Sequence, residues 1–288
     1  MEKISLFIGL TRWKDWIPNI LFVIFGFLLS LKTFVIYPSM VFVLVIFFLV
    51  QSFGFAINDY FDAPFDKLKE STHNVISHGL IKKQEAAVFC VALAVCGMSL
   101  SLLLPFQSFL VVVFLYFVFF AYSSPPFRLK EKLFFDITAH GFFTPLLLLA
   151  SYAPIAPIDL KILLIAVAAF ASSVIVCITQ EVRDLKFDKK SGFRTTADFL
   201  GYKRSVNLVR FLMVSGVAVS SIAIVLFMPI YFMLLMVSTI FSLKYLFGKP
   251  LQNEFFKKSI ESWNRGIIIL VVVVVLLLPF YIGWIKLG

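Results

Sequence analysis

Amide and carboxylate side chains recur at helical intervals where one long apolar block of the sequence ends. Gln51, Asn58, Asp62 and Asp66 are separated by seven, four and four positions, which places them on one face if the segment is helical. Carboxylates gathered on one face repel one another unless a cation lies between them. Oxygen ligands of this kind suit Mg²⁺, which typically takes one or two carboxylates together with substrate phosphates. This first acidic segment, defined by these four residues, therefore predicts a site for Mg²⁺ and a phosphate-bearing substrate.

A second acidic segment has the same spacing. Gln180, Asp184 and Asp188 fall at positions i, i+4 and i+8 where another apolar block ends. If the two blocks are helices that run in the same direction, the two segments together can bind metal ions and one diphosphate from both sides. A solvated, charged helix end is the alternative for either segment taken alone. Pro64 leaves open whether Asp66 lies on the first helix or on the loop that follows it.

The composition predicts the elements that position these residues. Apolar residues make up 61% of the 288 and charged residues only 15%, against roughly 45–50% apolar residues in a soluble domain. Since a helical membrane span needs about 20 apolar residues, we predict an all-α integral membrane protein whose transmembrane helices surround a central cavity, in a single domain over residues 1–288. We interpret the block nearest the N-terminus as a span rather than as a removed signal. The nine predicted spans are 16–34, 38–57, 85–104, 107–123, 133–153, 161–180, 206–227, 229–247 and 265–285.

The distribution of basic residues predicts the side of the membrane on which each loop lies. With the N-terminus in the cytoplasm and the C-terminus outside, only Lys32, Lys161 and Lys286 of the 26 Lys and Arg residues fall on the outer side. This is the expected bias, since cytoplasmic loops are enriched in positive charge. The predicted cytoplasmic active-site loops are about 58–84, 124–132 and 181–205. We therefore expect a multi-pass protein of the cell membrane, and because the net charge of +10 forms no single stripe, we expect no nucleic-acid partner.

Three segments, in order along the chain, resemble the UbiA superfamily of intramembrane prenyltransferases. They are Asn58-Asp-x-x-Asp62-x-x-x-Asp66, Tyr122-Ser-Ser-Pro-Pro-Phe-Arg128-Leu-Lys130 and Asp184-x-x-x-Asp188. The first and third are similar to the two aspartate-rich motifs of that family, and the second is similar to its tyrosine-to-lysine segment. The nine-span pattern is similar as well, so the resemblance covers essentially the whole chain.

This resemblance implies a reaction and a role for each matching residue. We expect a Mg²⁺-dependent prenyltransferase that moves an isoprenyl group from a polyprenyl diphosphate to a lipophilic acceptor within the lipid bilayer. The implied catalytic residues are Asp62, Asp66, Asp184 and Asp188, and these four with Asn58 are the implied metal ligands. The implied diphosphate-binding residues are Asn58, Arg12, Arg128, Lys130 and Tyr122. For Arg12, an anchor at the cytoplasmic membrane surface is an equal alternative.

The acceptor is left open by the sequence. Candidates are an aromatic ring of a quinone pathway, a tetrapyrrole, a carotenoid, an archaeal glycerophospholipid precursor and a substrate of a phosphoribosyl donor pathway. The Tyr122-Ser-Ser-Pro-Pro stretch resembles branches of the family that act on chlorophyll-type or carotenoid and other polyisoprenoid substrates. Asp136 and His140 are four positions apart near the inner end of the fifth predicted span. They either orient an acceptor or form a hydrogen-bonded pair at the membrane interface.

One segment departs from the pattern of the family. Residues 74–79 lack the basic residue and the proline that family members usually carry there. We expect either that His73, Lys67 or Lys69 takes over the phosphate contacts, or that the substrate binds more weakly.

A cation or metabolite transporter is the alternative from another functional class. Acidic residues inside membranes are functional by default, and some transporters contain parallel repeats. In this sequence, however, the acidic residues lie at the inner ends of the predicted spans rather than near the midplane. No pair of spans interrupted by Gly or Pro marks a central site either, so the pattern favours the enzyme.

Overall fold

Helices and turns make up the secondary structure of the described part of the chain. The computed structural model describes residues 2–31, 37–68, 74–191 and 194–227, and no strand occurs within these ranges. The α-helices are α1 (Glu2–Thr11), α2 (Trp13–Trp16), α3 (Ile20–Ser30), α4 (Pro38–Leu68), α5 (Lys83–Ser101), α6 (Phe106–Ser123), α7 (Phe135–Gly141), α8 (Phe143–Tyr152), α9 (Leu160–Ser191) and α10 (Thr196–Phe227). Two 3₁₀ helices cover Ile17–Asn19 and Leu129–Glu131. The all-α prediction is confirmed for these residues.

Four of these helices, α4, α5, α6 and α9, are long and apolar enough to cross a membrane. The segments Lys3–Trp16 and Ile20–Ser30 meet at a bend of 55° and add a fifth span if they are counted together. The predicted spans 229–247 and 265–285 lie outside the described residues. The count of nine spans and the sidedness of the termini therefore stay predictions.

Two polar segments that the sequence analysis places in loops are helical. α4 continues past residue 57 and through Pro64, and α9 continues past residue 180. Hydropathy locates the apolar part of a helix and misses a polar continuation of the same helix. Pro64 does not end α4, so Asp66 lies on this helix and not on a loop.

The predicted span 133–153 is divided into two short helices. α7 ends at Gly141 and α8 begins at Phe143. At the break the chain lies close to α9, since a Cβ on Gly141 would be 2.5 Å from the Phe170 ring. Because of this break, α7 and α8 pack against different parts of the protein.

An apolar interior lies among α3, α4, α6 and α8. α3 and α6 both pack against α8, α4 packs against α6, and α9 packs between α8 and α10. A void of about 10 Å³ among α3, α4, α6 and α8 is lined by apolar side chains, among them Val23, Val43, Phe47, Leu115 and Leu147. The fold therefore contains a closely packed apolar core, part of which is formed by α4, the helix that carries the first acidic segment.

Gly26 allows α3 to approach α8 closely. A Cβ at this position would lie 2.0 Å from Ser151 Oγ and 2.6 Å from Leu148 O. The serine side chain can rotate, but the carbonyl belongs to the α8 backbone, whose position is set by the surrounding core. Membrane helices commonly pack through small residues in this way. Gly26 thus sets the separation of α3 and α8.

We expect Gly26→Ala to push α3 away from α8 and to lower the Tm of the detergent-solubilised protein, since overpacking a core costs about 1–3 kcal/mol. The matched control is Gly216→Ala on α10, where the new Cβ would lie 3.6 Å from Ala171 Cβ. The control should keep or raise the Tm, because Ala favours a helix over Gly by about 1 kcal/mol. Equal Tm values for the two variants would contradict a limiting contact at Gly26.

Candidate active site

The first acidic segment faces a basic turn that follows α6. Lys130 Nζ donates hydrogen bonds to Asn58 Oδ1 at 2.9 Å and to Asp62 Oδ2 at 2.5 Å. Arg128 Nη2 lies 3.3 Å from Asp62 Oδ1, and Ser123 Oγ donates to Asn58 Oδ1 at 3.0 Å. An amide oxygen and a carboxylate from α4 thus converge on one ammonium group. We refer to these five residues as the polar centre.

The turn that carries Arg128 and Lys130 has an unusual backbone. Arg128 has a φ of 40° and a ψ of 54°, a left-handed conformation that costs a non-glycine residue of order 1–3 kcal/mol. Its side chain compensates with contacts on two sides. The guanidinium forms an ion pair with Glu131 and lies 4.7 Å from the centroid of the Phe65 ring. These contacts direct both basic side chains toward α4.

The charges of the polar centre are largely shielded from water. The side chains of Lys130 and Asp62 are 13% and 19% exposed. Burial lowers the pKa of Lys130, and the nearby Arg128 lowers it further, while the Asp62 carboxylate opposes both effects. Two cations, Arg128 and Lys130, face two carboxylates, Asp62 and Glu131. The formal charges of this group therefore cancel.

The donor set of the polar centre fits a small divalent cation. Asn58 Oδ1 and Asp62 Oδ2 already converge on a positive group, the Lys130 ammonium, and both are hard oxygen donors of the kind that Mg²⁺ prefers. Within residues 2–31, 37–68, 74–191 and 194–227, no three His, Cys, Asp or Glu side chains are grouped closely enough to hold a metal ion. A metal at this site would therefore take one carboxylate and one amide oxygen from α4 and complete its shell with other oxygens.

Asp66 does not join the polar centre but binds Asn74. Asn74 Nδ2 donates to Asp66 Oδ2 and to the Asp59 carbonyl oxygen, both at 2.8 Å. Its Oδ1 accepts hydrogen bonds from the backbone N–H groups of Ile76 and Ser77, at 3.0 and 3.2 Å. Asn74 is 1% exposed, so these four bonds satisfy a buried amide. The asparagine attaches the segment that lacks the usual basic residue to the acidic face of α4.

Arg12 lies beside the polar centre but pairs with other acids. Arg12 Nη1 is 3.1 Å from Asp59 Oδ1, and Arg12 Nε donates to Asp15 Oδ2 at 2.8 Å. The guanidinium also lies 5.0 Å from the centroid of the Phe55 ring. Because Asp59 follows Asn58 directly, the pair ties the start of the chain to the neighbouring face of α4. The diphosphate-binding role of Arg12 and its alternative as an anchor both stay predictions.

The described part of the second acidic segment, Gln180 and Asp184, forms no hydrogen bond with the polar centre. Asp184 pairs with its neighbour Arg183, whose Nε donates to Asp184 Oδ1 at 3.0 Å. Gln180 is exposed. Asp188 falls within α9, and its side chain is outside the described part of the structure. The metal-ligand roles of Asp66, Asp184 and Asp188 stay predictions.

Two further predicted polar residues line the interior. Gln51 is 1% exposed, and neither of its amide atoms has a hydrogen-bond partner among the described residues. Tyr122 packs edge-on against Phe143, with ring centroids 5.4 Å apart. Tyr122 directly precedes Ser123 of the polar centre, but its predicted contact with a diphosphate is not tested by these positions.

The predicted alternative of a bonded pair between Asp136 and His140 is wrong. Asp136 accepts hydrogen bonds from the backbone N–H and the hydroxyl of Thr196, both at 2.5 Å. Glu181 Oε2 accepts a hydrogen bond from the backbone N–H of Ala197 at 3.0 Å. The two buried carboxylates therefore bind the first N–H groups of α10, where a helix has unpaired donors and favours negative charge. Since these contacts join positions 60 and 16 residues apart, no local spacing in the sequence predicts them.

The sequence analysis also missed Asn74, Asp59, Ser123 and Glu131. A signal was present for Asn74, because an Asn that opens a turn commonly bonds the backbone two residues ahead. Asp59 lies within the first acidic motif, but its partner Arg12 is distant in sequence, so spacing does not predict their contact. For Ser123 and Glu131 no spacing pattern distinguishes them from other polar residues.

Comparison with known proteins identifies the family of this chain. The sequence profile of the UbiA prenyltransferase family matches residues 19–254. The chain belongs to the UbiA prenyltransferase family. It is 31% identical over 225 residues to the digeranylgeranylglyceryl phosphate synthase of Korarchaeum cryptofilum, which covers 78% of each chain. The predicted family and the predicted enzyme class, a prenyltransferase, are confirmed.

Solved structures of this UbiA family share the fold. A structure from work on digeranylgeranylglyceryl phosphate synthase in membranes superposes with a TM-score of 0.78 at 22% identity, over 95% of this chain and 99% of the other. A UbiA homologue of Archaeoglobus fulgidus bound to GPP and Mg²⁺ gives a TM-score of 0.72 at 21% identity, over 93% and 99%. These likenesses support a multi-pass membrane fold. The transporter alternative finds no support in them.

We expect Asn74→Ala to destabilise the protein by roughly 1–3 kcal/mol, because it leaves buried backbone N–H groups and the Asp59 carbonyl without partners. The free energy of unfolding in detergent, measured by denaturant titration, tests this. Ser77→Ala is the matched control in the same turn, since it removes only the 2.7 Å bond from Ser77 Oγ to the Asn74 carbonyl. If both variants show the same small decrease in the free energy of unfolding, the segment is not held by the Asn74 amide.

Proposed function

We propose that this UbiA family member transfers a geranylgeranyl group from geranylgeranyl diphosphate to a hydroxyl group of a glyceryl phosphate lipid, and that the transfer requires Mg²⁺. The observation that carries the proposal is the convergence of Asn58 Oδ1 and Asp62 Oδ2 on Lys130, beside the apolar core that contains Ile57. The choice of substrates is supported by the 31% identity to digeranylgeranylglyceryl phosphate synthase. A product with two geranylgeranyl groups implies an acceptor that already carries one of them.

The polar centre is suited to the diphosphate end of the donor. Arg128 and Lys130 supply N–H donors that can turn from Asp62 to phosphate oxygens and stabilise the negative charge that develops on the leaving diphosphate. Because their charges are cancelled by Asp62 and Glu131, the protein alone offers little net attraction for a polyanion. Mg²⁺ held by Asn58 and Asp62 would supply the missing positive charge and polarise the phosphate oxygens.

The second acidic segment extends the proposal. Asp184 and Asp188 on α9, together with Asp66 on α4, would complete the set of acids around the same diphosphate. Support comes from the matched spacing of the two segments and from the family profile that covers both. We also assign Arg12 and Tyr122 to the rim of this site, as the resemblance implies.

The apolar interior is suited to the isoprenyl chain. Val23, Phe47, Leu115 and Leu147 surround a void of about 10 Å³ and offer only apolar contacts, so an isoprenyl chain can enter here only if these side chains move apart. An allylic carbon that loses its diphosphate must be kept from water, and a closed apolar compartment does this. We propose that the isoprenyl chain enters between these helices as their side chains move apart, that the polar centre faces the cytoplasm, and that nine helices enclose the site in the cell membrane.

We expect wild-type protein in lipid vesicles to transfer radiolabelled geranylgeranyl groups to a glyceryl phosphate that bears one geranylgeranyl ether, with Mg²⁺ present and not with a chelator. Asp62→Asn should reduce kcat by about 10²–10³-fold, because it weakens the hold on the Mg²⁺ that stabilises the developing charge, and losing one such electrostatic contribution typically costs this much. The measurement is the rate of labelled product formation, separated by thin-layer chromatography.

The control for a change of charge is Asp159→Asn. Asp159 precedes α9 and accepts a hydrogen bond from the Ile162 backbone N–H, at the opposite end of α9 from the second acidic segment. This variant should transfer at the wild-type rate. Metal-independent transfer, or Asp62→Asn at the wild-type rate, would overturn the site assignment. Product only from a quinone-ring, tetrapyrrole or carotenoid acceptor would keep the reaction and overturn the acceptor.

A further inference from the structure

His140 at the end of α7 uses one ring nitrogen to fix its orientation. His140 Nδ1 lies 3.2 Å from Ser173 Oγ on α9, and Ser173 Oγ donates to the His140 carbonyl oxygen at 2.6 Å. A hydroxyl has one proton, and the shorter contact takes it. Ser173 must therefore accept a hydrogen bond from Nδ1–H, which leaves Nε2 of the neutral ring as an unprotonated acceptor.

The unprotonated nitrogen has no protein partner. Within the described ranges, Nε2 of His140 makes no hydrogen bond, and its ring neighbours are aromatic. The Phe143 ring centroid lies 5.1 Å away and the Tyr122 ring centroid 6.0 Å away. A basic nitrogen in apolar surroundings, with its orientation fixed by a second bond, is the arrangement expected for a group that receives a proton from a bound molecule.

His140 lies between the polar centre and the apolar core. Tyr122, against which its ring packs, directly precedes Ser123, whose hydroxyl donates to Asn58 Oδ1. In the other direction along the chain, Phe143 stacks on Phe119 of the apolar core, with ring centroids 4.3 Å apart. If the diphosphate binds at the polar centre, His140 therefore lies on the side of it that faces the apolar core.

Neighbouring carboxylates are already committed to the backbone. Asp136 binds Thr196 through both oxygens, and Glu181 binds Cys177 through Oε1 and the Ala197 N–H through Oε2. A carboxylate that caps a helix cannot turn to a substrate without leaving buried N–H groups unpaired. Of Asp136, Glu181 and His140, only His140 therefore has a hydrogen-bond acceptor available to a bound molecule.

We propose that His140 is the general base of the transfer, with Nε2 accepting first the hydrogen bond and then the proton of the acceptor's hydroxyl group. This rests on the proposed function. The acceptor oxygen forms a bond to the first carbon of the isoprenyl group as the bond from that carbon to the diphosphate oxygen breaks. The electron pair of the broken bond leaves with the diphosphate. The hydroxyl proton passes to Nε2, and the imidazolium returns it to water when the products leave. Ser173 is a positioning residue that holds the ring in the required tautomer.

The test compares His140→Asn with wild type in the vesicle assay. An Asn amide can keep the bond to Ser173 but has no basic nitrogen at the position of Nε2. We expect kcat for transfer to fall by about 10²–10⁴-fold, the usual contribution of a general base, while the Kd for the donor stays within about twofold because no contact to the diphosphate is removed. His78→Asn is the matched control on an exposed loop and should transfer at the wild-type rate.

A second readout separates a base from a structural role. An acceptor with fluorine next to its hydroxyl group is more acidic and needs less help from a base. His140→Asn should therefore lose less kcat with this acceptor than with the ordinary one, and Ser173→Ala should show the same trend with a smaller loss. Wild-type kcat in His140→Asn, or an equal loss with both acceptors, would overturn the proposal. A wild-type protein that transfers to neither acceptor would instead overturn the proposed function on which it rests.

Discussion

The arrangement of the active site depends on one interaction, the Lys130 ammonium bound between the Asn58 amide oxygen and the Asp62 carboxylate. α4 presents both oxygens on one face because they are four residues apart, and the turn after α6 must reverse to bring Lys130 to them. Burying a charge costs several kcal/mol unless it is paired and hydrogen-bonded. The helix and the turn can therefore lie close together only in a position that keeps this contact, and that position sets where a donor's diphosphate can bind.

Charge balance explains why such a site is stable inside a membrane protein before a substrate binds. Arg128 and Lys130 are each matched by a carboxylate, so the side chains of the site carry no net formal charge that apolar surroundings would have to stabilise. A diphosphate adds negative charge and can be accommodated only with added positive charge. The same polar centre adjoins the apolar core, to which the neighbouring Ala56 and Ile57 belong, so one molecule with a charged head and an isoprenyl tail matches both parts of the interior at once.

The parts of this site that follow from the sequence are those with a local signature. The spacing of Asn58, Asp62 and Asp66 predicts one helical face, and the polar continuation of α4 confirms it. Contacts between distant positions could not be predicted in this way. Asp136 binds Thr196, which is 60 residues away in the sequence. Its spacing of four from His140 was equally compatible with a hydrogen bond between those two residues. The extent of α4 and α9 was underestimated for a related reason, since hydropathy reports apolar surface and not helical hydrogen bonding.

If Asp62 and Lys130 act on one ligand, their contributions to its binding must be coupled. Calorimetric titration of geranylgeranyl thiolodiphosphate, a donor analogue that resists transfer, measures this in wild type, Asp62→Asn, Lys130→Met and the double variant, each with and without Mg²⁺. We predict Mg²⁺-dependent affinity in wild type that is lost in Asp62→Asn. We also predict a loss in the double variant that differs from the sum of the single losses, as for residues that share a partner. Affinity that ignores Mg²⁺, or strictly additive losses, would contradict a shared magnesium and diphosphate site.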